Sequence, residues 1–212
     1  MGLLDDLRHK HQTELLAAKQ QAWEAERAAL EQELQAAKTF RGAPEGEGLQ
    51  LHPGENLYLA LKQAGLLETV RTQGHRTGVY GGPSFRVAKG VYMRTGAFRS
   101  HYVPGVEQLA QIDVGTAYVT DQRVVFMGGK QTREFAFDKL IGYEHHPEGA
   151  YTRFSVANRQ RPSCIGYGAQ GDAWCFRVDL AHSTYTGQRD AYVASIQQEL
   201  DQHMAEQPGG TG

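Results

Sequence analysis

Residues 115–141 read GTAYVTDQRVVFMGGKQTREFAFDKLI, and no other stretch of the chain narrows its fold as far. Two apolar runs flank Gly128-Gly129, and a third is entered through Asp138-Lys139. Alternation at every second position marks a half-buried strand, because successive side chains leave opposite faces. A Gly-Gly pair between two such runs offers positive φ at low cost, as a hairpin of the favoured twist requires. In that hairpin Val124 and Phe126 share one face and Val125 takes the other. Thr120-Asp121-Gln122 brings short polar side chains that can hydrogen-bond a tight turn. The stretch therefore predicts a small, strongly bent antiparallel sheet.

More strands surround it. Residues 56–61 and 65–70 are short apolar runs, 72–83 reads as a glycine-rich loop, and 84–99 reads as a strand with glycine bends at Gly90 and Gly96. Gly65 and Gly90 suit bulges or tight corners. Further strands are expected at 117–120, 123–127, 134–137, 141–145, 151–156, 162–166 and 173–180. Short strands separated by turn residues indicate a barrel or sandwich. The chain closes with a helix over about 186–204. Its Tyr192, Ile196 and Leu200 lie four apart, so this helix should rest on the sheet. Residues 206–212 are expected to be a flexible tail.

The other end is different in kind. Residues 3–38 contain neither Gly nor Pro and are rich in Ala, Leu, Glu, Gln, Lys and Arg, which lose little on becoming helical. Residues 1–40 thus read as one long helix, 41–50 as a Gly/Glu/Pro linker, and 51–205 as the β domain. Leu16, Trp23, Leu30 and Ala37 recur every seven residues, with Gln20, Arg27 and Leu34 four positions on. That is an imperfect coiled-coil seam. Leu16, Trp23, Leu30 and Leu34 are the candidate oligomerisation residues. The alternative is a helix that packs this stripe on the body of its own chain.

The order of many strands followed by one amphipathic helix resembles the bacterial PH-like (GRAM-like) domains. The residues that carry the resemblance are 84–91 (SFRVAKGV), 115–120 (GTAYVT) with 123–126 (RVVF), and 135–141. It covers roughly residues 51–203. The resemblance implies a mainly β fold, a bent antiparallel sheet or partial barrel capped by a C-terminal helix. It also implies a binding platform with no chemistry of its own.

Composition excludes several classes. The 212 residues carry a net charge of −2, which gives no global attraction to nucleic acid or anionic lipid. No run approaches the roughly 20 apolar residues that span a bilayer. Asp5 and Asp6 stand where a signal peptide would be basic, and position 6 lacks the Ser or Thr of a myristoylation signal. A cytoplasmic location is the expectation. Two cysteines do not make a disulfide framework.

Catalytic and cofactor motifs are sparse. Gly166, Gly168 and Gly171 spell G-x-G-x-x-G, but the pyrophosphate-binding mechanism needs a helix next, and 173–178 reads as a strand. A glycine-rich hairpin is expected instead, which would set Cys164 opposite Cys175 as two buried thiols. His145-His146 are neighbours in a strand and point to opposite faces, so they do not chelate one metal together. There is no H-E-x-x-H, no G-x-S-x-G and no P-loop. No enzyme activity, cofactor or metal is expected.

Charge placement is more telling. Residues 71–133 hold nine Lys/Arg against three acids, an excess of six in a chain of −2. Arg94, Arg99, Arg123, Lys130 and Arg133 are the candidate ligand-binding residues, for an acidic protein segment, phosphate or anionic lipid headgroups. The other reading is solubilising charge that alternates outward along several strands. Tyr92, Phe98 and Tyr102 interleave with these cations, without an RNP-like motif for RNA. The expectation is a non-enzymatic adaptor with a protein partner and self-association through the first helix. A peripheral module for anionic lipid is the alternative, and nucleic acid is not expected.

Overall fold

The structure is a computed structural model that describes residues 3–45, 48–71, 75–81, 84–88, 91–94, 97–103 and 106–207, with side chains described for 11–45, 48–71 and 106–207. The order is α1 (Leu3–Thr39), β1 (Leu57–Arg71), β2 (His75–Gly81), β3 (Ser84–Ala88), β4 (Val91–Arg94), β5 (Ala97–Val103), β6 (Glu107–Thr120) and β7 (Arg123–Gly128). It continues with β8 (Thr132–Ala136), β9 (Leu140–His146), β10 (Tyr151–Val156), β11 (Ser163–Gly166), α2 (Gly171–Tyr185) and α3 (Arg189–Ala205).

Seven strands form one sheet in the order β8-β7-β6-β1-β11-β10-β9, with every pairing antiparallel. In a flat sheet five strand spacings, roughly 24 Å, would separate β8 from β10. Phe135 of β8 and Phe154 of β10 nevertheless stack with ring centroids 4.8 Å apart. The sheet is therefore curled into a half-barrel with β8 and β9 as its edges. Its concave side is filled by Leu61, Leu66, Val119, Val124, Phe126, Phe135, Phe154 and Ile165, all fully buried or nearly so. This curled antiparallel sheet with C-terminal helices is consistent with the PH-like arrangement that the strand order suggested.

The strands before residue 117 depart from the sequence reading, β6 itself beginning at Glu107 rather than at 117. The two apolar runs 56–61 and 65–70 are one 15-residue strand, β1, bulged between Lys62 and Ala64, where Gln63 adopts φ 60°. The bulge falls beside Gly65 rather than on it. Residues 75–81, expected as loop, are strand β2 and pair with β5. From Arg71 opposite Glu107 to His75 opposite Val103, both chains advance four residues. From Gly81 opposite Ala97 to Ser84 opposite Arg94, both advance three. The successive ladders share one register. Gly90 and Gly96 lie outside the described residues.

Gly128 and Gly129 do not take positive φ. The turn is built differently: the Asp113 carboxylate accepts the backbone N–H groups of Lys130 at 2.8 Å and Gln131 at 2.7 Å. A Cβ at Gly128 would stand 2.3 Å from Asp113 Oδ2, so glycine is required there for close approach. Thr120 and Asp121 do hold the next turn, as expected. Thr120 Oγ1 accepts from Arg123 N–H at 3.0 Å, and Asp121 accepts from Asn56 N–H at 3.0 Å.

The largest correction is α2. Residues 173–180 were expected to be a strand because Trp174, Phe176, Val178 and Leu180 alternate, yet they are helical. All four are buried. Residues two apart on a helix lie on nearly opposite faces, so a helix buried on both sides repeats like a strand. Trp174 faces the sheet and donates from Nε1 to Thr152 Oγ1 of β10 at 2.8 Å. Phe176 faces α3, against the Tyr192 ring. The helix that rests on the sheet is thus α2, while α3 packs chiefly on α1 and α2.

Helix α1 runs antiparallel to α3. Trp23 Nε1 donates to the His203 carbonyl at 2.9 Å and the two rings stack at 5.2 Å. At the other end Arg189 donates to the carbonyls of Ala37 at 2.9 Å and Phe40. Trp23, Leu30, Leu34 and Ala37 are buried here, within one chain. Leu16 is 55% exposed.

Candidate functional site

At one end of the half-barrel β1, the start of β8 and the β10–β11 loop border an open cavity of about 360 Å³ lined by Glu68, Thr69, Arg133, Arg159, Arg161, Pro162 and Ser163. The sheet order explains the meeting. Glu68 lies opposite Ser163 across the β1–β11 ladder. Curling then carries β8, three strands away, over the same end. Arg133 Nε donates to Glu68 Oε1 at 2.8 Å, and its Nη1 reaches Gln131 Oε1 at 2.7 Å. Ser163 Oγ donates to the same Glu68 oxygen at 3.0 Å. Arg161 is paired with Glu107, the first residue of β6, at 2.9 Å.

Electrostatics follow from these contacts. The Arg133 hydrogen bonds hold the Glu68 carboxyl below its ordinary value, against the opposing effect of burial. Burial, then the neighbouring Arg133 charge, pull the Arg159 guanidinium below its ordinary value. Its planar head lies over the Phe135 ring, 5.6 Å from the centroid.

The five cations singled out in the sequence separate sharply. Arg133 is in the cavity. Arg123 is not available to a ligand: it is 8% exposed and clamped to Glu55 at 2.8 and 3.0 Å and to the Gln50 carbonyl at 3.0 Å. Lys130 is exposed on the β7–β8 turn, away from the lining. The side chains of Arg94 and Arg99, on β4 and β5, lie outside the described residues. Arg159 and Arg161 lie outside the basic stretch 71–133 and so carry no share of its charge excess. The only sequence signal was their spacing, Arg-x-Arg followed by Pro162, in a short polar loop.

A second polar cluster lies between α2 and the sheet. His145 Nδ1 is 2.7 Å from Thr152 Oγ1 and its Nε2 is 3.1 Å from Asp179 Oδ1, which also accepts from the Tyr143 hydroxyl at 2.7 Å. Burial opposes the charged imidazole, but hydrogen bonds to Asp179 and Cys175 prevail and push His145 up to about 9. His146 points the other way, against the Tyr151 ring, so the expected alternation holds. Cys164 sits in β11 and Cys175 in α2, so they are not opposed across a hairpin, and both are free. Among the described residues no three His, Cys, Asp or Glu side chains are placed to hold a metal.

The glycine fingerprint also changes meaning. Helix α2 does begin at Gly171, directly after β11 and a short 3-10 turn, so the stated ground for rejecting it fails. The topology rejects it instead. β11 is antiparallel to both neighbours, whereas a dinucleotide fold needs a crossover to a parallel strand. No helix among the described residues is long and apolar enough to cross a membrane. No family model, no curated protein and no solved structure matches the chain.

Proposed function

We propose that this chain is a non-enzymatic, cytoplasmic interaction protein: a half-barrel of PH-like type serves as docking platform, and α1 joins two copies. One observation carries this reading. The described side chains at 11–22 are exposed except for half-buried Gln20, and Trp23 is the first buried residue among them. That leaves Leu15 50% and Leu16 55% exposed on a helix that begins at Leu3. Helical segments of this length are only marginally stable in water unless their apolar side is covered. A second α1 offers the same Leu pair and the same run of good helix formers. Pairing would then raise the effective affinity for any repeated partner through two linked platforms.

The test is the absolute mass in solution, by light scattering, of the full chain and of a Leu15→Glu/Leu16→Glu variant. Deleting all of α1 would be uninformative, because Trp23, Leu30, Leu34 and Ala37 belong to the core. The expected result is a dimer that becomes monomeric in the variant with its melting temperature unchanged. A monomeric wild-type chain at tens of micromolar would overturn the assembly role.

A further inference from the structure

We propose that the cavity between β1, β8 and the β10–β11 loop receives a single carboxylate from a partner segment, with the Arg159 guanidinium as its main contact. This rests on the docking-platform reading above and gives it a chemistry. Three guanidiniums line the cavity, and two already hold a carboxylate: Arg133 with Glu68 and Arg161 with Glu107. Arg159 makes no ion pair among the described residues. Its side-chain hydrogen bond is to Ser163 Oγ at 3.4 Å, at the long limit of such bonds. One face of the head is supported by Phe135.

Charge and shape favour a carboxylate. Three cations against Glu68 and Glu107 leave one positive charge, which a monoanion neutralises and a phosphate dianion would overshoot. A planar guanidinium presents parallel N–H groups that match the two oxygens of a carboxylate. The setting is half-buried, so the attraction is screened less than at an open surface. Filling the site would also offset the repulsion that Arg159 feels from Arg133. Glu68 then acts as a positioning residue: it fixes Arg133 so that the third cation faces the opening.

The probe is a fluorescein-labelled acetyl-hexaglutamate peptide, with hexaglutamine as control, titrated by anisotropy against the full chain at low salt. The expected result is saturable binding of the glutamate peptide alone. Arg159→Gln should weaken it at least tenfold and Arg161→Gln about threefold. Lys62→Gln, on an exposed β1 position roughly 20 Å along the strand, should leave it unchanged. Arg161 is exposed, so that variant still reports if Arg159→Gln fails to fold. No binding, or equal binding by Arg159→Gln, overturns the proposal. So does displacement by inorganic phosphate at a tenfold lower concentration than acetate, which would make the site one for phosphate. Loss of peptide binding in a chain that still dimerises through Leu15 and Leu16 would remove this site and leave the assembly role standing.

Discussion

Arg123 and Arg133 stand ten residues apart on adjacent strands, and each is held by a glutamate at 2.8 Å. The two pairs nevertheless do different work. Arg123 and Glu55 are closed in under residues 48–56, with the Glu55 side chain fully buried, and the remaining guanidinium donors are taken by the Gln50 carbonyl and Glu134. Arg133 and Glu68 keep about a fifth to a quarter of their side-chain surface exposed and border a cavity with two further arginines. Basic residues close in sequence thus divide into a buried clamp and a half-exposed pair that borders a cavity. What divides them is whether the donors are already satisfied.

The largest expected effect lies on the clamp. Glu55→Gln leaves the buried Arg123 with only the half-exposed Glu134 as counter-charge, and removing one partner of a buried pair costs about 3–5 kcal/mol. Urea unfolding would show it, and a loss under 1 kcal/mol would mean that the pair is well solvated. The clamp also has a pH signature. Burial alone would raise the Glu55 pKa, but hydrogen bonds from Arg123, the His52 N–H and Thr120, with the Arg123 charge, lower it. A depressed folded pKa gives stability that is present above the unfolded value near 4.3 and lost as pH falls through the folded one. The acid limb of the wild-type stability profile should therefore flatten in Glu55→Gln.

An intermediate effect is expected at His145, with the opposite sign. Its folded pKa, about 9, is raised, so its contribution is complete below the unfolded value near 6.5 and fades as pH rises through about 9. Asp179→Asn should lower the His145 titration, followed by NMR, and cost about 2 kcal/mol at neutral pH. An unchanged titration would show that Asp179 does not govern it.

The smallest effect should be Glu68→Gln. A partly exposed pair is worth about 1 kcal/mol or less, so stability should barely move. Peptide binding, in contrast, should change, because Arg133 is released and the cavity gains a charge. A stability loss as large as that of Glu55→Gln would erase the distinction between the two pairs.

Wherever an element is buried on one side only, the chain announced it. Strand β10 buries every second residue, and α3 follows its Tyr192, Ile196, Leu200 stripe, with Ile196 and Leu200 buried as that stripe requires, whereas β7 was legible from an unbroken apolar run that is buried from Arg123 to Phe126. α1 was legible because thirty-six residues without Gly or Pro permit little else. α2 was not, because a helix sandwiched between sheet and helices has two apolar faces and so imitates a strand. β2 was hidden too: glycines at 78 and 81 suggest a loop, and only pairing with a partner some twenty residues away makes them strand.

The candidate site divides along the same line. Local sequence determined which residues carry charge and which alternate. Tertiary structure decided that Arg123 is closed off, that Trp23 and Leu30 are spent within the chain, and that Arg133 meets Arg159 and Arg161. Those outcomes depend on how far the sheet curls and on what crosses its outer face. Both are set by side chains packed across long sequence distances, which no local pattern records.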